Sequence, residues 1–163
     1  MSADTITTAL FLITAVIASG VLINAIYPVV FNMAGTFSTA THESDQRLRT
    51  DFKIVLATND KADRTHVTVW MKNVGSAKIS MDEIERSDVF CGAVGDFERL
   101  DYVSGWGAEI KESGNQVNNF WDPGETLEVR GITSKPLPPS PNMAYFQFVL
   151  PNGIWRSTEF TAI

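Results

Sequence analysis

The 163-residue chain has only one charged side chain, Asp4, in its first quarter and lacks catalytic groupings throughout. Residues 5–42 contain no Asp, Glu, Lys or Arg, and the whole chain has one cysteine and two histidines. The single cysteine, Cys91, excludes an intramolecular disulfide and any metal site that needs two thiolates. No HxxxH pair, nucleophile elbow, phosphate-binding loop or glycine-rich dinucleotide motif is present. The sequence therefore predicts a protein that is not an enzyme and that needs no cofactor or metal.

Positive charge is also scarce. Lys and Arg number 13 against 19 Asp and Glu, which gives a net charge of −6 and an isoelectric point near 4.8. Proteins that bind nucleic acid need a basic surface to neutralise phosphates. We therefore expect no nucleic acid partner.

The charge-free stretch is strongly apolar from Ile6 to Tyr27 and is followed by Pro28. As a helix it is about 33 Å long, which is enough to cross a hydrocarbon core of about 30 Å. Beyond Pro28, a weaker helical pattern continues to about Ser44 and predicts a stalk. We expect residues 1–46 to form a hydrophobic helix that anchors the chain in a membrane or packs in an assembly.

Several positions of this helix are suited to helix–helix contact. Ala15 and Ser19 form a small-xxx-small pair, and Asn24 carries an amide that can bond to a partner helix. Pro28 is expected to kink the helix without ending it. The residues predicted to serve membrane insertion or helix assembly are Leu10, Ile13, Ala15, Ile17, Ser19, Gly20, Asn24 and Pro28.

The N-terminus does not resemble a secretory signal, because Met1 to Thr5 contains Asp4 and no basic residue. We therefore expect the helix to stay on the protein. Arg47, Arg49 and Lys53 follow it, and the positive-inside rule read literally places the C-terminal side in the cytoplasm. A folded domain follows directly, so this count carries little weight.

Residues 47–163 have the alternating pattern and turn signals of a β domain. The predicted strands are 52–58, 66–72, 87–91, 97–103, 126–132, 143–150 and 154–160, with a short piece at 78–80 and a long loop or hairpin at 104–120. This spacing favours an antiparallel β-sandwich of immunoglobulin-like size, with a small barrel as the alternative. The fold class predicted for the whole chain is therefore α+β, a long helix followed by a sandwich.

Two clusters outside the helix are candidates for binding. Trp106 and Trp121 flank the long loop and, with Asp122 and Glu125, could form an exposed partner-contact surface; burial of both rings under the loop is the alternative and is slightly favoured. The segment from Asn59 to Asp63 carries carboxylates that could hold calcium, although it lacks EF-hand spacing and is typical of a solvated turn.

Three features occur together: the apolar helix near Met1, the junction from Asp45 to Ile54, and a sandwich pattern with Lys72-Asn-Val-Gly75 and Asp122-Pro-Gly-Glu125. This combination resembles the accessory F and G proteins of the archaeal flagellum, or archaellum, and is closer to the G type. These proteins are related to archaellins and to type IV pilin-like proteins.

The resemblance implies a stator component of the motility apparatus. The helix would lie in the cell membrane, and the sandwich would stand outside it and bind a partner accessory protein, the filament or the surface-layer protein. The chain is expected to form a homo- or hetero-oligomer. Two alternatives stay open: a filament subunit whose helices form the filament core, and a membrane-anchored ligand-binding domain.

Overall fold

The computed structural model of the chain describes residues 2–61, 63–111 and 118–162, and it divides the chain into two compact units, Met1–Ser44 and Asp45–Ile163. The first unit is helical and the second is built mainly from antiparallel β-sheets. The predicted fold class is therefore confirmed.

Helix α1 spans Ser2–Arg49 and is longer than the pattern predicted. Pro28 lies inside it, and the helix continues past this residue to Arg49. By length and composition, α1 is the one helix in the described part of the chain that is able to cross a membrane.

In the described residues after α1, ten strands and one short helix follow. Their bounds are β1 Phe52–Asn59, β2 His66–Asn73, β3 Ile79–Ser80, α2 Met81–Glu85, β4 Asp88–Ala93, β5 Asp96–Leu100, β6 Trp106–Lys111, β7 Phe120–Trp121, β8 Thr126–Ile132, β9 Ala144–Val149 and β10 Trp155–Phe160. A first sheet has the order β1-β2-β8-β6, and a second has the order β10-β9-β4-β5. Strands β3 and β7 form a separate two-stranded ribbon.

The core lies between the two four-stranded sheets. In β2, Val67, Val69 and Met71 point inward, and Thr68, Trp70 and Lys72 alternate with them on the outer face. Phe148 of β9 contacts Phe52 of β1 edge to face, with ring centroids 5.6 Å apart. Such aromatic contacts across the layers join the two sheets into one hydrophobic core.

The segment 104–120, predicted as a long loop or hairpin, contains strand β6, whose bounds the sequence pattern did not give. Trp106, Ala108 and Ile110 alternate toward the core, while Gly107 and Glu109 lie on the other face. The neighbouring glycines obscured this short alternation. Pairing with β8, in which Ala108 lies opposite Val129, is what makes the segment a strand.

Candidate anchoring and assembly site

Between Ile6 and Phe37 the surface of α1 is mostly apolar and exposed. Leu10, Ile13 and Ile17 expose 60%, 58% and 61% of their area. Large apolar side chains on all sides of a helix are found where lipid or other protein surrounds it. The helix surface is therefore the first candidate site of the molecule.

Seven Ser and Thr hydroxyl groups on α1 are bonded within the helix. Ser19 Oγ donates to the Ala15 carbonyl at 2.7 Å, and Thr14 Oγ1 donates to the Leu10 carbonyl at 2.8 Å. The same i−4 bond is made by Thr7, Thr8, Thr36, Thr39 and Thr41. These side chains therefore carry no unsatisfied donor into an apolar environment.

Asn24 and Pro28 differ from these residues. Pro28 has no N–H, so the carbonyl of Asn24, four residues earlier, receives no helical bond from it. Within the described residues, the Asn24 carboxamide has no hydrogen-bond partner either. An unsatisfied amide is costly in hydrocarbon, so a partner helix at this position remains our prediction.

The C-terminal end of α1 is held by the turn that follows β2. The Arg49 carbonyl accepts hydrogen bonds from the N–H groups of Ser76 at 2.8 Å and Ala77 at 3.0 Å. The Asp51 carbonyl accepts from Gly75 at 2.9 Å. A Cβ on Gly75 would lie 2.4 Å from the Arg49 carbonyl oxygen, so only glycine allows this approach.

Asn73 organises that turn from a fully buried position. Its Nδ2 donates to the carbonyls of Ala77 and Trp121, both at 2.9 Å, and its Oδ1 accepts from the Gly75 N–H at 3.0 Å. Its main-chain carbonyl accepts from Gly124 at 2.8 Å. The two sandwich motifs that carried the resemblance, 72–75 and 122–125, therefore meet at the end of the helix.

Trp106 and Trp121 do not form an exposed contact surface, because the structure exposes only 3% and 0% of them. The Trp106 ring packs edge to face on Phe148, and Trp121 Nε1 donates to the Glu125 carbonyl at 2.9 Å. The structure therefore has the buried placement that the sequence slightly favoured, since the large apolar area of these rings fills the core.

Asp122 and Glu125 lie in the turn before β8. Lys78 Nζ lies 2.9 Å from Asp122 Oδ1, and the Glu125 carboxylate accepts from the Asp122 N–H at 2.9 Å. The Lys78 ammonium, followed by Asn118, lowers the pKa of Asp122 from its ordinary value. A partner contact at Asp122 and Glu125 stays a prediction.

Two further titratable side chains, Asp63 and Cys91, are hydrogen-bonded or buried. Asp63 accepts hydrogen bonds from the hydroxyl and N–H of Thr65, and these bonds lower the pKa of its carboxyl group. Burial raises the pKa of the Cys91 thiol to about 12. Across residues 2–61, 63–111 and 118–162, no three His, Cys, Asp or Glu side chains are grouped so that they could hold a metal ion.

Solved structures that resemble this chain include components of the archaellum. The periplasmic stator protein FlaG from Sulfolobus acidocaldarius is 29% identical over 68% of this chain and 99% of that chain, with a TM-score of 0.55. In the FlaF–FlaG stator complex of the same organism, a chain is 28% identical over 67% of this chain and 87% of its own length, with a TM-score of 0.54. The archaeal flagellum of Methanospirillum hungatei shares the fold at 12% identity, covering 96% of this chain and 92% of that chain, with a TM-score of 0.69.

Sequence comparison extends this result to the full length. An uncharacterised protein of Archaeoglobus fulgidus is 26% identical over 166 residues, covering 99% of both chains. The archaeal-type flagellin family matches residues 2–160. The resemblance predicted from the sequence is confirmed. This chain belongs to the archaeal-type flagellin family.

Proposed function

We propose that the chain is a membrane-anchored accessory protein of the archaellum, of the stator type, with no catalytic activity. Its helix holds it in the cell membrane. Its sandwich stands on the extracytoplasmic side and binds another archaellum component, the filament or the surface-layer protein.

The observation that carries this proposal is the difference in sequence identity between the two kinds of structural relative. Identity to the solved stator chains is 28% to 29%, and identity to the filament protein is 12%. Identity below 25% supports only a shared fold here, whereas the higher value, extending over most of the sandwich, favours a shared role. The FlaF–FlaG complex further supports assembly with a second accessory protein.

The contacts around Arg49 suit a protein that has to bear load. A stator resists torque, so it needs a fixed point and a stiff attachment to it. The last turn of α1, from Asp45 to Arg49, belongs to the same compact unit as the sandwich. It is bonded there through the main-chain groups of Ser76 and Ala77, in a turn that the buried amide of Asn73 holds in place.

Gene deletion and complementation test the stator role. We expect the deletion strain to lose swimming, and the wild-type gene to restore it. A variant that lacks residues 2–44 should be released from the membrane and should not restore swimming. Normal motor assembly and swimming in the deletion strain would contradict the proposal.

Orientation is tested by proteolysis of intact cells from which the surface layer has been removed. We expect external protease to cleave residues 45–163 in intact cells and to leave a membrane-embedded helix. Protection of the sandwich until the cells are lysed would place it in the cytoplasm and would contradict the proposal.

A filament subunit is the second candidate. It is favoured by the match of residues 2–160, which include the helix, to the archaeal-type flagellin family. Mass spectrometry of sheared and washed filaments separates the two candidates. A filament subunit would be a major component of the filaments, whereas a stator protein would remain with the cell membrane.

A further inference from the structure

The outer face of the first sheet carries two cross-strand pairs of like charge. In one pair, Glu109 of β6 lies opposite Glu128 of β8. In the other, Lys53 of β1 lies opposite Lys72 of β2. Side chains directly opposite each other in antiparallel strands have Cβ atoms about 5 Å apart, so each pair is repulsive unless a counter-charge lies nearby.

The glutamate pair has its counter-charges within the chain. Lys111 Nζ lies 2.7 Å from Glu109 Oε1 and 2.9 Å from Glu128 Oε2. Arg130 Nε lies 2.9 Å from Glu128 Oε1. Two basic side chains, Lys111 and Arg130, therefore neutralise the two glutamates. This pair needs no counter-charge from a partner protein.

The lysine pair has no such neutralisation. Both side chains are exposed, and neither forms an ion pair with a carboxylate in the described parts of the chain. The domain is acidic overall, with six more acidic than basic residues in the chain. Two unpaired lysines facing each other are therefore open to an anion supplied from outside.

An apolar pair lies beside the lysines. Leu56 of β1 lies opposite Trp70 of β2 in the next outward-facing row, and Leu56 is 55% exposed. A β-bulge between Ile54 and Leu56 also leaves Val55 exposed. A bulge disturbs the edge of the sheet and disfavours addition of another strand there. Recognition at this place therefore uses the face of the sheet.

We propose that Lys53, Lys72, Leu56 and Trp70, here called the lysine patch, bind an acidic segment of a partner protein. One or two carboxylates lie between the two ammonium groups, and a neighbouring apolar side chain packs on Leu56 and Trp70. This inference rests on the proposed function, because it assigns a surface to the partner that a stator protein needs.

The observations favour a protein over the two other occupants. A symmetric contact between two copies through this patch would bring lysines against lysines, since a two-fold interface uses the same surface on both copies. An anionic membrane gains only about 1 kcal/mol from each lysine. An acidic peptide segment satisfies the charges and covers the apolar pair at the same time.

Carbodiimide coupling in native membranes tests this directly, because the reagent joins an ammonium to a carboxylate in contact with it. The full-length chain is cross-linked in membranes of the producing archaeon, and the linked peptides are identified by mass spectrometry. We expect Lys53 and Lys72 to be linked to Asp or Glu of a different protein. Lys61, an exposed lysine in the turn after β1, serves as the control and should remain unlinked.

Charge reversal separates binding from folding. Lys72→Glu should reduce the cross-linked product and the co-purified partner roughly tenfold, because it places a carboxylate against the partner's acids. The same change puts Glu opposite Lys53, so the purified variant should have a higher denaturation midpoint than the wild type. Lys61→Glu changes the net charge equally and should reduce binding less than about twofold.

Three results would overturn the proposal: links from Lys53 and Lys72 to carboxylates of a second copy of this chain, equal linking of Lys61, or unchanged partner recovery with Lys72→Glu. Protection of the two lysines from coupling by vesicles of anionic lipid, but not by vesicles of neutral lipid, would identify a membrane surface as the ligand. This result would overturn the proposal as well. Loss of swimming on gene deletion is independent of these outcomes, so the stator role can stand when the lysine patch fails.

Discussion

The helix and the sandwich satisfy their side chains in opposite ways. In α1 the large apolar side chains are exposed, and the hydroxyl groups bond only to carbonyls one turn earlier. In the sandwich the large apolar side chains fill a core, and the buried Asn73 bonds to residues as distant as Trp121. The helix therefore needs a membrane or an assembly to cover its apolar side chains, whereas the sandwich buries its own.

The largest expected effect comes from emptying the sandwich core. Phe148 is fully buried and contacts both Phe52 and Trp106. Phe148→Ala should lower the free energy of unfolding by about 3 to 5 kcal/mol, because it removes apolar contacts and leaves a cavity. Denaturant unfolding of the full chain in detergent, followed by tryptophan fluorescence, measures it. A loss below about 1 kcal/mol would mean that the two sheets do not share this core.

Removing the Asn73 side chain should have the next largest effect. Asn73→Ala leaves the carbonyls of Ala77 and Trp121 without their amide donor and removes one of the two acceptors of the Gly75 N–H, so we expect a loss of about 2 to 4 kcal/mol. Asn152→Ala is the matched control, since Asn152 bonds only to the Ile154 N–H in a surface turn. Equal losses in the two variants would contradict a central role for Asn73.

Acidity should weaken the sandwich through Glu128. Arg130 and then Lys111 lower the pKa of this carboxyl below its ordinary value of 4.5. The unfolded chain therefore takes up the proton first, so the stabilisation is present above pH 4.5 and is lost as the pH falls through the lower folded value. Urea unfolding of wild type and Glu128→Gln between pH 7 and pH 3 measures it. The variant should show the shallower decline, and parallel curves would contradict the assignment.

The smallest effect on stability is expected in the helix. Ile17 is 61% exposed, so Ile17→Ala removes little buried contact. The unfolding free energy of the sandwich should change by less than about 0.5 kcal/mol in the same fluorescence assay. A loss comparable to that of Phe148→Ala would show that the sandwich depends on the helix, and the contrast between the two regions would fail.

Much of the architecture was predictable because its signals are local. The apolar run predicted α1, because a charge-free stretch of this length satisfies its backbone hydrogen bonds in lipid by forming a helix. Asp122-Pro-Gly-Glu125 predicted a turn, and Gly124 there has a positive φ of 91°. The hairpin before Trp155 was predicted in the same way, and strands β9 and β10 pair across it.

The features that the sequence left open or missed depend on contacts between distant residues. The residues next to Trp106 and Trp121 in the sequence are compatible with either burial or exposure of the rings. Burial therefore depends on the space that the facing sheet leaves for them. The bounds of strand β6 were not predicted because its short alternation becomes clear only when β8 pairs with it. Asn73 was part of a motif, but nothing local indicated that its amide would join the Trp121 carbonyl.

By itself, the sequence determined that this protein has a helix unable to remain alone in water and a separate acidic β domain, because hydrophobic length and turn chemistry act over neighbouring residues. Only the tertiary structure decided that motifs 72–75 and 122–125 meet at the end of the helix. It also placed Lys53 opposite Lys72 without a counter-charge. Strand register and burial are set by pairing between distant segments, and no local pattern records that pairing.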